Sequence, residues 1–177
     1  MQPNNLFMID IGKVRIVPDF PSKGIRFYDI TTVLNDADEY QRIFNLLLEE
    51  AKKTRPDVIV ALESRGYYFG PAMALALHIP FVPIRKKGKL PFATYEESYD
   101  LEYGKATIEI HTDALKPNQR VLLFDDVLAT GGTALAAIHL INRFNPQFIS
   151  ALFFMELEAL QGKEKLKGYH YTSLAVV

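Results

Sequence analysis

The 177-residue chain contains no cysteine and no tryptophan. Without thiols it has no disulfide scaffold, no Cys-ligated zinc or iron–sulfur site, and no thiol nucleophile. That fits a reducing compartment. Excess charge of one sign is missing too: 20 basic against 21 acidic side chains leave a net charge of −1. Such a balance gives no reason to expect DNA, RNA or an acidic membrane as partner. No apolar run approaches the ~18 residues of a membrane-spanning helix. Residues 1–10 lack the basic and apolar regions of a secretory signal. Internal repeats and low-complexity tracts are also absent. What is present is ordinary globular composition, 49% apolar and 23% charged, in a length that suits one domain with a real core. The expectation is a single soluble, cytoplasmic domain over residues 1–177, with neither a nucleic-acid nor a membrane partner.

Punctuation divides the chain. Residues 1–35 carry Pro3, Pro18, Pro21 and Gly24 and read as an extended or looped arm. Asp36 to Thr54 reads as a helix, because Tyr40, Ile43, Phe44, Leu47 and Ala51 recur at helical spacing and Asp36 with Glu39 resembles a capping pair. The continuous apolar run from Val58 to Leu62 is a strand covered on both faces. Glu63 to Gly66 is a turn, 67–78 a buried helix, and 81–84 a short strand whose Pro83 suggests a sheet edge or strand end. The polar stretch 85–106, basic at its start and holding Gly88, Pro91 and Gly104, reads as a functional loop or hairpin. Strands are expected at 107–111, 121–124, 148–154 and 171–176, with a helix over 134–144. Strands alternating with helices mean an α/β fold with a mostly parallel central sheet.

The strongest chemical signal runs from Val121 to Thr133. A buried strand ends in two adjacent carboxylates, Asp125 and Asp126. Four residues on, Thr130-Gly131-Gly132-Thr133 opens a helix. The glycines let successive N–H groups turn inward as an anion nest, and the helix start adds free N–H groups and its positive dipole end. Thr130 and Thr133 add hydroxyl donors. The product is a cradle for one phosphate. Neighbouring carboxylates repel phosphate but accept hydrogen bonds from sugar hydroxyls, so phosphate beside a diol points to a ribose 5-phosphate. The Gly-Lys-Ser/Thr of a Walker loop and the Gly-x-Gly-x-x-Gly of a dinucleotide fold are both missing.

This segment resembles the phosphoribosyl pyrophosphate signature of the type I phosphoribosyltransferase family. Four further segments resemble the adenine-using branch of that family: residues 18–31, from Pro18 through Phe27 and Tyr28; Glu63 to Gly70; Ile84 to Pro91; and Ser98 to Lys105. The resemblance runs from about Val14 to the C-terminus. It implies the family fold, with a small N-terminal hood (1–35) over the base and a flexible catalytic loop within 85–106. It also implies purine salvage chemistry: adenine and phosphoribosyl pyrophosphate give AMP and pyrophosphate, with magnesium on the pyrophosphate and ribose oxygens, in a homodimer.

Carried onto this chain, the resemblance assigns roles residue by residue. Asp125 and Asp126 hold the ribose hydroxyls and stand near the magnesium. Ala129, Thr130, Gly131, Gly132 and Thr133 hold the 5′-phosphate. Pyrophosphate falls to the Glu63-Ser64-Arg65 turn, whose Glu63–Ser64 peptide is cis in the family, and to Arg85, Lys86 and Lys89 of the basic run. Glu102 is the acid–base residue, assisted by Tyr103, and Arg65 also acts in catalysis. Phe27 stacks on adenine, Val127 packs on its other face, and the backbone of Arg26 and Tyr28 reads its edge. One departure stands out: many members carry Arg where this chain has Tyr28. Two alternatives are weighed. A phosphoribosyl-pyrophosphate-binding regulator without catalysis usually adds a basic domain, which this chain lacks. A transferase for a 6-oxopurine or pyrimidine fits the Leu101-Glu102-Tyr103-Gly104 loop poorly, and Ala134 stands where a 6-oxopurine enzyme carries an acid–base Asp.

Overall fold

A computed structural model describes residues 9, 11–100 and 104–177. In chain order the elements are β1 (Arg15–Pro18), β2 (Arg26–Asp29), α1 (Thr31–Leu34), α2 (Ala37–Thr54), β3 (Val58–Leu62), α3 (Gly70–Leu77), β4 (Phe81–Lys86), β5 (Thr94–Asp100), β6 (Lys105–His111), β7 (Arg120–Leu128), α4 (Gly132–Asn142), β8 (Phe148–Glu156) and β9 (His170–Val176). Seven strands form one sheet in the order β5-β6-β4-β3-β7-β8-β9, and β1 pairs with β2 in a separate ribbon. The segment from β4 to β9 is parallel through β3, β7 and β8. The hairpin β5–β6 adds the antiparallel edge.

The apolar runs explain this layering. Every residue of β3 is buried, because successive side chains point to opposite faces and both faces are covered. Val58, Val60 and Leu62 join a core with Ala137, Leu140 and Ile141 of α4. Ile59 and Ala61 join a second core with Ile43, Leu47 and Ala51 of α2 and Met73 of α3. The two cores sandwich the sheet. Helix α2 starts as the capping pattern foretells: the Asp36 carboxylate accepts from Glu39 N at 3.1 Å. The reciprocal half of the box is not used, since the Glu39 carboxylate is taken by Arg42 at 2.6 Å.

Two expectations are corrected. β4 is no sheet edge, lying between β6 and β3. Pro83 is tolerated because β6 reaches only Arg85 and Lys86, so at Pro83 one side of β4 needs no donor. β7 does not stop at Phe124 but runs on through Asp125 and Asp126 to Leu128, with Asp125, Val127 and Leu128 paired to β8. Within the stretch 85–106 lie the end of β4, all of β5 and the start of β6, and β5 pairs with β6 from Thr94–His111 to Asp100–Lys105.

Candidate active site

Parallel strands deliver their C-terminal ends to one rim of the sheet, where ligands of open α/β folds bind. Here the ends of β3 and β7 bring the Glu63 turn, the aspartate pair and the start of α4 together. Three clefts meet there. The first, about 360 Å³, is mostly apolar, lined by Val17, Phe20, Phe27, Asp29, Ile30 and Tyr68 with Arg65. The second, about 370 Å³, is polar, lined by Phe27, Glu63, Ser64, Arg65, Lys86, Tyr99, Asp125, Asp126 and Thr133. The third, about 160 Å³, runs along Val127 to Gly131, with Arg65, Asp125, Thr133 and Ala134. Arg65 lines all three.

Arg65 earns that position from both sides. Its guanidinium lies 5.2 Å from the Phe27 ring centroid, within cation–π range. Its Nε stands 3.1 Å from Asp126 Oδ2, a carboxylate only 1% exposed. Even so, Asp126 Oδ2 has no hydrogen-bond partner among the described residues, so the contact is an ion pair without an aligned N–H. Asp125 accepts from Asp126 N at 2.9 Å. Burial raises the Asp125 carboxyl well above its usual range, and the charge of Asp126 raises it further. Burial also raises Asp126, while Arg65 pulls it back. The peptide bond Glu63–Ser64 is cis, as the resemblance implies.

Only the first of the paired glycines turns the loop; Gly132 already belongs to α4, two residues ahead of the expected helix start. Gly131 sits at φ 74°, the left-handed region that favours glycine, and caps α4 with no side-chain bond. Leu135 N reaches back to Gly131 O at 3.0 Å. The first N–H groups of α4 are thereby left for an anion.

The basic run is sorted by the structure. Lys86 lines the polar cleft. Arg85 and Lys89, expected against pyrophosphate, do not line it. Arg85 Nε donates to Glu63 Oε2 at 2.5 Å and Nη1 donates to the carbonyl of Lys89 at 3.2 Å. The physical reason is charge: Glu63 at the end of β3 needs a cation, and the adjacent strand supplies Arg85. Lys87 is paired with Glu96 at 2.7 Å. Behind them lies Glu109, which the sequence reading passed over. It is 3% exposed and accepts from both Lys89 N and Leu90 N at 2.8 Å. Burial works to raise its carboxyl, but the amides of Leu90, Gly88 and Lys89 hold it below the usual range.

Arg26 is exposed on β2 and Tyr28 packs against the core; neither lines the apolar cleft. Phe27 and Val127 line different clefts, with Arg65 in both. Asp29, unremarked in the sequence, lines the apolar cleft; Thr31 N and Oγ1 donate to it at 3.0 and 2.6 Å and lower its pKa. Tyr99, also unremarked, lines the polar cleft. Glu102 and Tyr103 lie outside the described residues.

The aspartate pair also fits a cation. An orphaned buried carboxylate oxygen beside a second carboxylate is relieved by positive charge. No group of three or more His, Cys, Asp or Glu able to hold a metal exists among the described residues. Two carboxylates can supply part of the shell of a hard ion such as magnesium, whose other ligands are commonly substrate oxygens and water.

Comparison with known proteins agrees. Residues 30–175 match the family model of the phosphoribosyl transferase domain. The adenine phosphoribosyltransferase of Carboxydothermus hydrogenoformans is 51% identical over 158 residues, 89% of this chain and 93% of that protein. The crystal structure of adenine phosphoribosyltransferase from Thermoanaerobacter pseudethanolicus superposes with a TM-score of 0.90 at 43% identity, covering 94% of this chain and 96% of that one. The Saccharomyces cerevisiae enzyme, crystallised with adenine and an imino-altritol bisphosphate, gives 0.85 at 40% identity over 92% of this chain and 94% of its own. On these matches, the chain belongs to the adenine phosphoribosyltransferases of the type I phosphoribosyltransferase family.

Proposed function

We propose that this protein transfers the 5-phosphoribosyl group of phosphoribosyl pyrophosphate to adenine, forming AMP and pyrophosphate. One observation carries the reading: the clefts meet in the order apolar, acidic, amide-lined, which is the order base, ribose, 5′-phosphate. The amides and hydroxyls of 129–133 anchor the phosphate. Asp125 and Asp126 accept from the ribose hydroxyls, fixing the sugar so that C1′ faces the base. Phe27, stacked under Arg65, offers an aromatic face to adenine. Lys86 and Arg65 lie in the polar cleft, where a pyrophosphate leaving group gathers negative charge. Magnesium, when bound beside the aspartates, supplies charge neutralisation to the departing pyrophosphate. Glu102, assigned from the sequence, exchanges the proton on the purine, with Tyr103 supporting it. The reading takes over the homodimer of the resemblance, and the cytoplasmic setting expected from the sequence, as well.

The test is direct. With magnesium and phosphoribosyl pyrophosphate, adenine is expected to give AMP far faster than hypoxanthine or guanine gives its nucleotide. No AMP, or faster turnover of hypoxanthine, would overturn the reading. Glu102→Gln is expected to cut turnover by about 100-fold or more, the usual scale of a lost acid–base group, with phosphoribosyl pyrophosphate binding retained.

A further inference from the structure

We propose that Gly162, well beyond the phosphoribosyl signature that ends at Thr133, is a positioning residue for the 5′-phosphate loop. The proposal rests on the functional reading above and adds a residue to it. Gly162 is buried and opens a 3-10 turn over Gly162–Leu166. Its backbone lies directly against the loop. A Cβ placed on Gly162 would overlap the carbonyl oxygen of Ala129 and stand 2.9 Å from Gly131 N. In the other direction, a Cβ on Gly131 would strike the carbonyl of Gly162 and stand 3.1 Å from its Cα. Real Cβ atoms do not come so close to backbone, so the two glycines allow two main chains to touch. Gly162 has no positive φ; its glycine is required by space, not by conformation.

Neither chain has room to yield. Leu157 N donates to Leu128 O at 2.9 Å, immediately ahead of the loop. Leu166, at the other end of the turn, is 1% exposed in the core beneath α4. A side chain at 162 therefore displaces Ala129–Gly131 toward the cleft and turns their amides away from the anion. The segment holds the loop in the shape that binds phosphate, while touching no substrate itself.

The test compares Gly162→Ala with Gly168→Ala. Gly168 has φ +92° and nothing within 4 Å of a built Cβ, so its alanine variant strains the same region without pressing on the loop. For Gly162→Ala, ribose 5-phosphate binding is expected to weaken about tenfold or more, and KM for phosphoribosyl pyrophosphate to rise in step. Magnesium pyrophosphate binding and KM for adenine should stay within about twofold. Gly168→Ala is expected to melt earlier yet bind ribose 5-phosphate as wild type does. Should Gly162→Ala not fold, Leu166→Ala loosens the same anchor and is expected to weaken ribose 5-phosphate selectively by a few fold. Unchanged ribose 5-phosphate binding in the Gly162 variant, or in the Leu166 variant where it replaces it, overturns the proposal. So does an equal loss of ribose 5-phosphate and pyrophosphate. Failure of the wild-type protein to bind ribose 5-phosphate would instead overturn the functional reading, and this inference with it.

Discussion

Glu109 shows how a single buried acid can shape a site it never enters. Its carboxylate grips the amides of Lys89 and Leu90, while Arg85, held by Glu63, grips the carbonyl of Lys89. The turn after Lys86 is thus clamped from both sides, and one clamp is itself tied to the Ser64 turn. Removing the carboxylate takes the acceptor from two part-buried amides, at about 1 kcal/mol for each bond. Glu109→Ala is expected to destabilise the fold by that order in urea unfolding and to raise KM for phosphoribosyl pyrophosphate about tenfold, with KM for adenine unchanged. Glu109→Gln keeps an accepting oxygen and should lie between alanine and wild type. An alanine variant with wild-type KM would detach this turn from substrate binding. Nothing local marks Glu109 in the sequence, because an acid between Ile108 and Ile110 resembles any outward strand residue. Its partners lie about twenty residues away. The aspartates were legible for the opposite reason: their glycines, threonines and strand are contiguous.

Elements built from local signals were the readable part. Helix α2 runs Ala37–Thr54, matching the expected 36–54, because periodicity and capping are both encoded within a turn or two. β3 was readable as a doubly covered strand because burial on both faces removes alternation. Pro83 misled because edge character belongs to a pairing, and β6 leaves β4 after only two residues. The pairing of Arg85 with Glu63 was not legible, because a cation in a basic run shows its charge but not its partner. The same logic predicts what α2 is for. Ile43, Leu47 and Ala51 are buried against the sheet and none lines a cleft. Asp36→Ala should cost about 1 kcal/mol through the lost cap, lowering the melting temperature by about 2–4 °C in a chain of this size. Leu47→Ala should cost about 2–5 kcal/mol. Both should leave the Michaelis constants at wild-type values. A shift in KM for either variant would show that α2 transmits strain to the site.

At the scale of the whole molecule, a net charge of −1 conceals a segregation that sets function against stability. The buried carboxylate of Asp126 and the half-buried one of Asp125 stand side by side where a polyhydroxylated sugar and a magnesium ion are proposed to sit, and desolvation raises both pKa values. A carboxyl whose folded pKa exceeds its unfolded value, about 3.9 for Asp, binds its proton more readily in the folded state. Its stabilising contribution is therefore full below the unfolded value and is lost as pH rises through the raised folded value. Above the unfolded value, therefore, the pair is a growing cost to the unliganded fold. Asp125 is the sharper case, since Arg65 faces Asp126. Without ligand, Asp125→Asn is expected to melt above wild type at pH 7, with the difference shrinking as pH falls toward 4. With magnesium and phosphoribosyl pyrophosphate at about 100 times the wild-type Kd, wild type gains about 2.7 kcal/mol, while the variant, having lost an acceptor for the ribose and the metal shell, gains little. The two melting curves should then exchange order. Thermal unfolding at pH 7 and pH 5, with and without ligand, checks this. A variant less stable than wild type without ligand, or an order that ligand does not reverse, would mean that the pair is held for the fold and not for the substrate.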